Sequence, residues 1–303
     1  MIKLVILSIA LLLNNLALSS SVSELNIREI KLRVDEYGQG SKTIILIHGG
    51  PSLFGYMKSL GDLLKDDYMI VDYAQRGTFE SPLDGDISID DHINDLSNLI
   101  SKYTTTTKPI IIGHSWGADL ALLTVAKHKN IVEKVILLGT AALTDEISNL
   151  HGDNLNSRYT NEVKLKLKEI DKKLDESQSD DETNKIMQER LALTSPFYHL
   201  DAKTEDKVPA SDWNFQSFLK SIDSIWDLID TGTVPSKLQS IEDQVVAFHG
   251  DYDPIPVNET FDYLKSNLKN LQTIEVKKSG HFPWLEDTSK DKFLEILLEE
   301  LKK

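Results

Sequence analysis

Residues 110–126, IIIGHSWGADLALLTVA, contain the transition that decides the fold. An apolar run typical of a buried strand leads into Gly-His-Ser-Trp-Gly, and a helical apolar pattern follows directly. The small residues Gly113 and Gly117 permit a tight turn that lifts the hydroxyl of Ser115 into a cleft at the helix N-terminus. We therefore predict that Ser115 is a nucleophile. The alternative is an idle serine in a glycine-rich turn.

Similar strand-like runs recur along the chain and alternate with helical patterns. The other strand-like runs lie at 43–48, 68–73, 134–139 and 244–250, with a weaker one at 271–278. The helical patterns lie at 53–65, 89–103 (with Ser88 as N-cap), 118–128 and 289–303. Residues 26–38 alternate as an edge hairpin does. This order predicts an α/β fold with a mostly parallel sheet and helices on both faces.

One long segment interrupts the alternation. Residues 141–236 contain no run typical of a buried strand and are helical and charged. We predict that they form a helical cap over the carboxyl edge of the sheet. The core is then divided into a first half at 23–140 and a second half at 237–303.

The N-terminus is predicted to be a targeting segment. Lys3 precedes an apolar run at 4–13, and Ala17 and Ser19 are small residues suited to the positions before a cleavage site. We predict a signal peptide at 1–22 and export to the periplasm or the medium. The alternatives are an uncleaved anchor and an apolar helix of the fold.

Composition narrows the function classes. The 303-residue chain carries a formal net charge of -15, which argues against a nucleic-acid partner, and it has no cysteine for a disulfide or a thiolate site. The histidines show no metal-ligand spacing, so we predict no metal and no cofactor. The expected partner is a small-molecule or short-peptide substrate, without stable membrane insertion of the mature chain. The oligomeric state is left open.

A serine nucleophile needs a base and an acid that orients the base, in the chain order Ser, Asp/Glu, His. Asp251 and Asp253 follow the strand-like run 244–250, and His281 lies in a loop after the last strand-like run. We predict His281 as base and prefer Asp253 as acid, because it lies further into the loop and precedes a proline.

The developing oxyanion needs backbone donors. Gly50, in the loop after the run 43–48, and Trp116, next after the serine, are the predicted donors. His48 and His114 each adjoin a tight glycine turn and are expected to be structural.

Five motifs together carry a family resemblance: HGGP, VDYAQRG, GHSWG, GDYDPIP and GHFPWLED. They resemble the proline iminopeptidase-like branch of the α/β-hydrolase superfamily, over about 35–140 and from 243 to the C-terminus. The resemblance implies the α/β-hydrolase fold, the roles given above for the five site residues, and release of an N-terminal residue, often proline, from short peptides. The Asp72–Gly77 element is longer than the Asp-Gln-Arg-Gly of the family.

The substrate remains open between several classes. An aminopeptidase needs a carboxylate for the free amine of its substrate, and the cap candidates are Asp201, Glu205, Asp206, Asp212 and Asp227, near the aromatic residues Trp213, Phe215, Phe218 and Trp226. The alternatives are a carboxylesterase, a lactonase, a lysophospholipase-like hydrolase, and a non-catalytic binding protein on a hydrolase scaffold.

Overall fold

An eight-stranded sheet runs through the computed structural model, which describes residues 21–27, 30–82, 87–141, 143–201 and 213–303. In chain order the strands are β1 Ser21–Ile27, β2 Ile30–Gly38, β3 Thr43–Ile47, β4 Met69–Tyr73, β5 Ile110–His114, β6 Lys134–Leu138, β7 Val245–Gly250 and β8 Leu271–Val276. Their order across the sheet is β1-β2-β4-β3-β5-β6-β7-β8. In this spatial order the six strands β4, β3, β5, β6, β7 and β8 are parallel to one another. Strands β1 and β2 form an antiparallel edge hairpin, as predicted, but it begins at Ser21 and not at residue 26.

The central strands are buried on both faces. Every residue of β5, β6 and β7 is buried, as expected for β-branched runs in a parallel sheet that is covered on both sides. Two apolar clusters, one on each face, pack the helices against the sheet. The fold class predicted from the sequence is confirmed.

Ten α-helices surround the sheet among the described residues. They are α1 Lys58–Leu64, α2 Ile89–Tyr103, α3 Trp116–Lys127, α4 Asp145–Arg158, α5 Asn161–Glu176, α6 Asp180–Thr194, α7 Phe215–Asp230, α8 Val234–Gln239, α9 Val257–Asn267 and α10 Lys290–Lys302. A short 3₁₀ helix, Ser195–Tyr198, follows α6. Helix α2 begins as predicted, because Ser88 and Asp91 form a reciprocal capping box.

Helix α1 is shorter than the predicted 53–65. The chain turns after β3, where the Leu53 N–H donates to the Gly50 carbonyl at 2.8 Å. Gly55 has a positive φ of 100°, which a helix excludes. The helix therefore begins only at Lys58, and the preceding loop is left to shape the site.

Helices α4 to α8, which we call the cap, lie between β6 and β7. The described part of residues 141–236 contains no strand. The polar residues Thr144, Thr160, Ser179 and Asn214 each accept a hydrogen bond at the N-terminus of a cap helix.

Strand β1 begins at Ser21, so the predicted signal peptide at 1–22 lies almost wholly outside the described residues. Within the described chain, every helix is too short or too polar to span a bilayer.

Candidate active site

Ser115 occupies a strained turn between β5 and α3. Its φ and ψ are 53° and -125°, a conformation that a non-glycine residue rarely adopts. A Cβ on Gly113 would lie 2.3 Å from the Gly117 carbonyl oxygen, and one on Gly117 would lie 2.0 Å from the Ile47 carbonyl oxygen. The two glycines therefore let β5, α3 and β3 pack closely enough to form the turn. The Ser115 side chain makes no capping hydrogen bond to α3.

Asp253 and His281 are brought together from two loops. Asp253 Oδ2 lies 2.6 Å from His281 Nδ1, and both residues are buried. The other carboxylate oxygen of Asp253 accepts the Ile255 N–H at 2.9 Å. Burial lowers the pKa of His281, so the imidazole is neutral and its Nδ1–H donates to the carboxylate.

Asp251 has a different place. It is exposed, and its Oδ1 accepts the Ser279 N–H at 3.2 Å. The structure therefore sets Asp253 beside His281 and leaves Asp251 to brace the loop.

Gly139, at the end of β6, makes room for this pair. It has a positive φ of 52°, and a Cβ at this position would lie 2.8 Å from His281 Nδ1 and 3.1 Å from Asp253 Oδ2. Sequence reasoning did not identify Gly139, although a glycine directly after a buried strand is a usable signal.

Ser115 and His281 both line one cavity of about 430 Å³. Among the described residues no hydrogen bond joins the two side chains. Such bonds are often long before substrate binds.

The predicted oxyanion donors also line this cavity. Gly50 lies in the turn after β3, and Trp116 is the first residue of α3, where backbone N–H groups have no partner within the helix. The neighbouring Gly49 N–H is already taken, since it donates to Tyr56 Oη at 2.5 Å.

A buried network that the sequence did not reveal connects the two loops. His114 Nε2 lies 2.9 Å from the His281 carbonyl oxygen and must be its donor. His114 Nδ1 is therefore the acceptor and takes the proton of Tyr56 Oη at 2.7 Å. The chain of bonds runs from the Gly49 N–H through Tyr56 and His114 to the backbone of His281.

Gln75, within the Asp72–Gly77 element, braces the same region. Its side chain donates to the His48 carbonyl at 2.7 Å and accepts the Trp116 indole N–H at 3.0 Å. The Gln75 N–H donates to His48 Nε2 at 3.1 Å. His48 is thus structural, as expected, and holds the loop that contains Gly50.

Arg76 and Asp72 in this element are buried as well. Arg76 forms a bidentate ion pair with Asp95, with two N–O distances of 2.7 Å. Burial raises the pKa of Asp72 to about 7.

The described cavity lining holds no carboxylate. It is mainly apolar, with Trp213 and Phe218 among its walls, and the polar side chains in it are Tyr56, His114, Ser115, Ser148, His151, Arg190, Thr194, Ser195, Tyr198 and His281. Of the five acidic candidates for an amine site, Asp201 and Asp227 do not line it, and Glu205, Asp206 and Asp212 lie outside the described residues. Phe215 and Trp226 do not line it either.

Asp201 instead belongs to a set of hydrogen bonds between residues 198–201 of the cap and the loop 280–288, which contains His281. We call this set the clasp. Asp201 accepts the N–H groups of Asp287 and Thr288 at 3.2 and 3.0 Å. In return, the buried Glu286 carboxylate accepts the N–H groups of Leu200 and Asp201 at 3.3 and 3.2 Å.

Two further bonds extend the clasp to the base itself. Glu286 accepts the Gly280 N–H at 3.1 Å, and the His281 N–H donates to the Tyr198 carbonyl at 2.8 Å. The clasp therefore fixes His281 against the cap. Across the described ranges, no group of three or more acidic or histidine side chains is arranged to hold a metal ion.

Comparison with known proteins agrees with this architecture. The family model for the alpha/beta hydrolase fold matches residues 42–288, which is more than half of the chain. The chain therefore belongs to the α/β-hydrolase fold family, and it is a hydrolase of α/β fold.

Individual relatives are distant. A cis-3-alkyl-4-alkyloxetan-2-one decarboxylase of Shewanella oneidensis is 26% identical over 116 residues, which are 37% of this chain and only 36% of that protein. A proline iminopeptidase of Saccharolobus solfataricus is 24% identical over 281 residues, covering 86% of this chain and 84% of the relative. An esterase structure from Thermogutta terrifontis has a TM-score of 0.68 at 16% identity, covering 93% of this chain and 98% of that chain. At this identity the structural likeness establishes the fold alone.

Proposed function

We propose that this protein is a serine hydrolase of carboxylic esters. The observation that carries the proposal is the 2.6 Å hydrogen bond between Asp253 and His281. His281 and Ser115 line the same cavity. His281 lines that cavity as a neutral imidazole hydrogen-bonded to the Asp253 carboxylate, and Ser115 lines it from a strained turn. This arrangement fits general-base activation of a nucleophile.

The proposed reaction proceeds in two steps. Ser115 Oγ attacks the ester carbonyl while His281 Nε2 takes the hydroxyl proton, and the N–H groups of Gly50 and Trp116 stabilise the oxyanion. The tetrahedral intermediate collapses, and the leaving alkoxide receives the proton from His281. Water then attacks the acyl-enzyme in the same way and releases the carboxylic acid.

The described part of the cavity lining favours an ester over an amine-bearing peptide. A charged ammonium group is costly to bury without a carboxylate partner. The described lining offers apolar walls, neutral polar groups and the cation Arg190. An acyl chain fits such a surface, whereas an unpaired ammonium does not.

An exported prolyl-type aminopeptidase is the second candidate. The 24% identity with a proline iminopeptidase over 281 residues favours it. Of the five predicted carboxylates, Glu205, Asp206 and Asp212 are the candidates left for its amine partner.

A substrate panel separates the candidates. We expect hydrolysis of p-nitrophenyl acyl esters and no requirement for a free amine when prolyl and alanyl anilides are compared with their N-blocked forms. Lactones and lysophospholipids extend the panel to the other ester-hydrolase classes. Cleavage of free-amine anilides with little ester hydrolysis would favour the aminopeptidase. No turnover of any member would favour a binding protein.

We also propose that the protein is exported. The support is the charged, apolar and small-residue order of 1–22. Mass spectrometry of protein from the native host should give an N-terminus between about Ser20 and Glu24. An intact Met1 on soluble protein in the cytosol would contradict export.

A further inference from the structure

One wall of the cavity carries a hydrogen-bonded pair of polar side chains that the proposed chemistry does not use. His151 on α4 and Tyr198 on the 3₁₀ helix both line the cavity. His151 Nε2 lies 3.0 Å from Tyr198 Oη, and the two rings meet edge to face with centroids 5.6 Å apart. The pair fixes the orientation of the imidazole.

The second nitrogen of His151 is available to a ligand. Nδ1 makes no hydrogen bond to the described residues, although the side chain lies in the cavity wall. Burial lowers the pKa of His151 to about 4, so the ring is neutral near pH 7. A neutral imidazole with Nε2 engaged presents Nδ1 as one donor or one acceptor, and a hydroxyl can satisfy either.

The His151–Tyr198 pair lies next to His281, the proposed base. The Tyr198 ring is 5.4 Å from the His281 ring, and the Tyr198 carbonyl accepts the His281 N–H at 2.8 Å. Helix α4, which carries His151, also contacts the loop of Asp253, because Asn154 Nδ2 donates to the Pro254 carbonyl at 2.9 Å. In acyl transfer the base hands its proton to the leaving group, so the leaving alcohol is the part of an ester nearest to His281.

We propose that His151, oriented by Tyr198, is a specificity residue that binds a hydroxyl on the leaving alcohol. The substrate class is then an acyl ester of a diol or polyol, with a free hydroxyl close to the ester bond. This inference rests on the serine hydrolase function proposed above.

Two esters of nearly equal size test it. Propyl butyrate and 2-hydroxyethyl butyrate differ by a methyl group in place of a hydroxyl at the end of the alcohol. The ratio of their kcat/KM values is divided by the ratio of their alkaline hydrolysis rates, which removes intrinsic reactivity. We expect the wild-type protein to favour the hydroxyethyl ester by about tenfold after this correction, the size expected for one hydrogen bond in a cavity.

Variants assign the preference to the pair. His151→Phe should bring the corrected ratio to about one, and Tyr198→Phe should lower it in part. The exposed Asn156, on the same helix, provides the control Asn156→Ala, which should keep the wild-type ratio. The ratio is internal to each variant, so partial loss of folded protein does not affect it.

Three results would overturn the inference. They are a wild-type corrected ratio of one, a preference that persists in His151→Phe, and a preference seen only when the hydroxyl is on the acyl side, as in propyl 3-hydroxybutyrate. If hydrolysis still depends on Ser115 in these cases, the serine hydrolase function stands without the specificity residue. Absence of hydrolysis of every ester would contradict both.

Discussion

At the scale of single residues, the two aspartates after β7 differ in what they contact. Asp253 is buried against His281, whereas Asp251 is exposed and accepts one backbone N–H. A carboxylate holds the imidazole in the tautomer whose Nε2 accepts the serine proton, and an amide does not.

Asp253→Asn should therefore lower kcat for a p-nitrophenyl ester by about 10⁴. Asp251→Asn should change it by less than about threefold, since only one exposed hydrogen bond is altered. Circular dichroism controls for folding. A severe loss in the Asp251 variant with an active Asp253 variant would reverse the assignment of the acid.

The Tyr56 hydroxyl connects the loop after β3, which contains Gly50, to His114 at the end of β5. Tyr56→Phe removes the acceptor of the Gly49 N–H and the donor to His114, leaving buried groups unpaired. We expect a loss of about 1–3 kcal/mol in the free energy of unfolding. We also expect kcat to fall by about tenfold, because the loss of one hydrogen bond that positions the site should raise the activation free energy by about 1.4 kcal/mol.

Tyr103→Phe is the matched control. Its hydroxyl is also hydrogen-bonded, at 2.5 Å to Glu36, but Tyr103 does not line the cavity. It should lose stability without losing kcat. Equal kcat in the two variants would show that the Tyr56 network does not position the site.

The sequence could predict the residues whose signals are local. Ser115 is marked by its two glycines, and Asp253 and His281 by their order and their places after strands. The Tyr56–His114 contact joins residues 58 positions apart, and no short motif marks it. The role of Asp201 could not be predicted for the same reason. In the sequence it is one of several acidic residues that could bind an amine, but in the structure it accepts the N–H groups of Asp287 and Thr288, more than 80 positions away.

At the scale of elements, prediction succeeded where a boundary is set by neighbouring residues. Helix α2 begins at a capping box formed by residues three apart. Helix α1 was predicted five residues too early, because its apolar pattern extends into a loop that folds against distant groups. In that loop the Pro51 carbonyl accepts the Trp213 indole N–H at 3.1 Å.

The clasp between the cap and the His281 loop gives a prediction at this scale. Asp201→Ala removes the acceptor of the Asp287 and Thr288 N–H groups. Their exchange with deuterium, followed by mass spectrometry on peptides from 280–290, should become at least about tenfold faster, as expected when a local opening costs about 1.4 kcal/mol less. Asp227→Ala, in an exposed cap position, is the control. Unchanged exchange in the Asp201 variant would show that the clasp does not hold this loop.

At the scale of the whole molecule, five buried histidines and the half-buried His151 couple stability to pH. Burial lowers the pKa of His48 and His151 to about 4 and that of His92 to about 3. It also lowers the pKa of His114, His249 and His281. The unfolded chain takes up these protons near pH 6.5, so the free energy of unfolding falls as pH drops below that value.

Three buried carboxyl groups act in the opposite direction. Burial raises the pKa of Asp72, Asp119 and Asp253, so the folded protein holds protons that the unfolded chain releases above about pH 4. The six histidines outnumber them. The net effect is a loss of stability on acidification from about pH 6.5 towards pH 4.

Urea unfolding at pH 7, 6 and 5 should therefore show a steadily falling free energy of unfolding, by about 1.4 kcal/mol per pH unit for each uncompensated proton. His92 does not line the cavity; its ring packs edge-on against Trp116, and its Nε2 lies 2.9 Å from Ser221 Oγ. His92→Gln should make the slope shallower by about one proton, because it removes one histidine that only the unfolded chain protonates in this pH range. A free energy of unfolding independent of pH over this range would contradict the coupling.

The most direct test of the central claim is the site of covalent labelling. The intact protein is treated with a fluorophosphonate, which reacts with activated serine hydroxyls, and the adduct is located by peptide mass spectrometry. We predict one adduct per chain, at Ser115, absent from Ser115→Ala and formed much more slowly in Asp253→Asn. An adduct on another serine, or no adduct on folded wild-type protein, would contradict a nucleophilic Ser115.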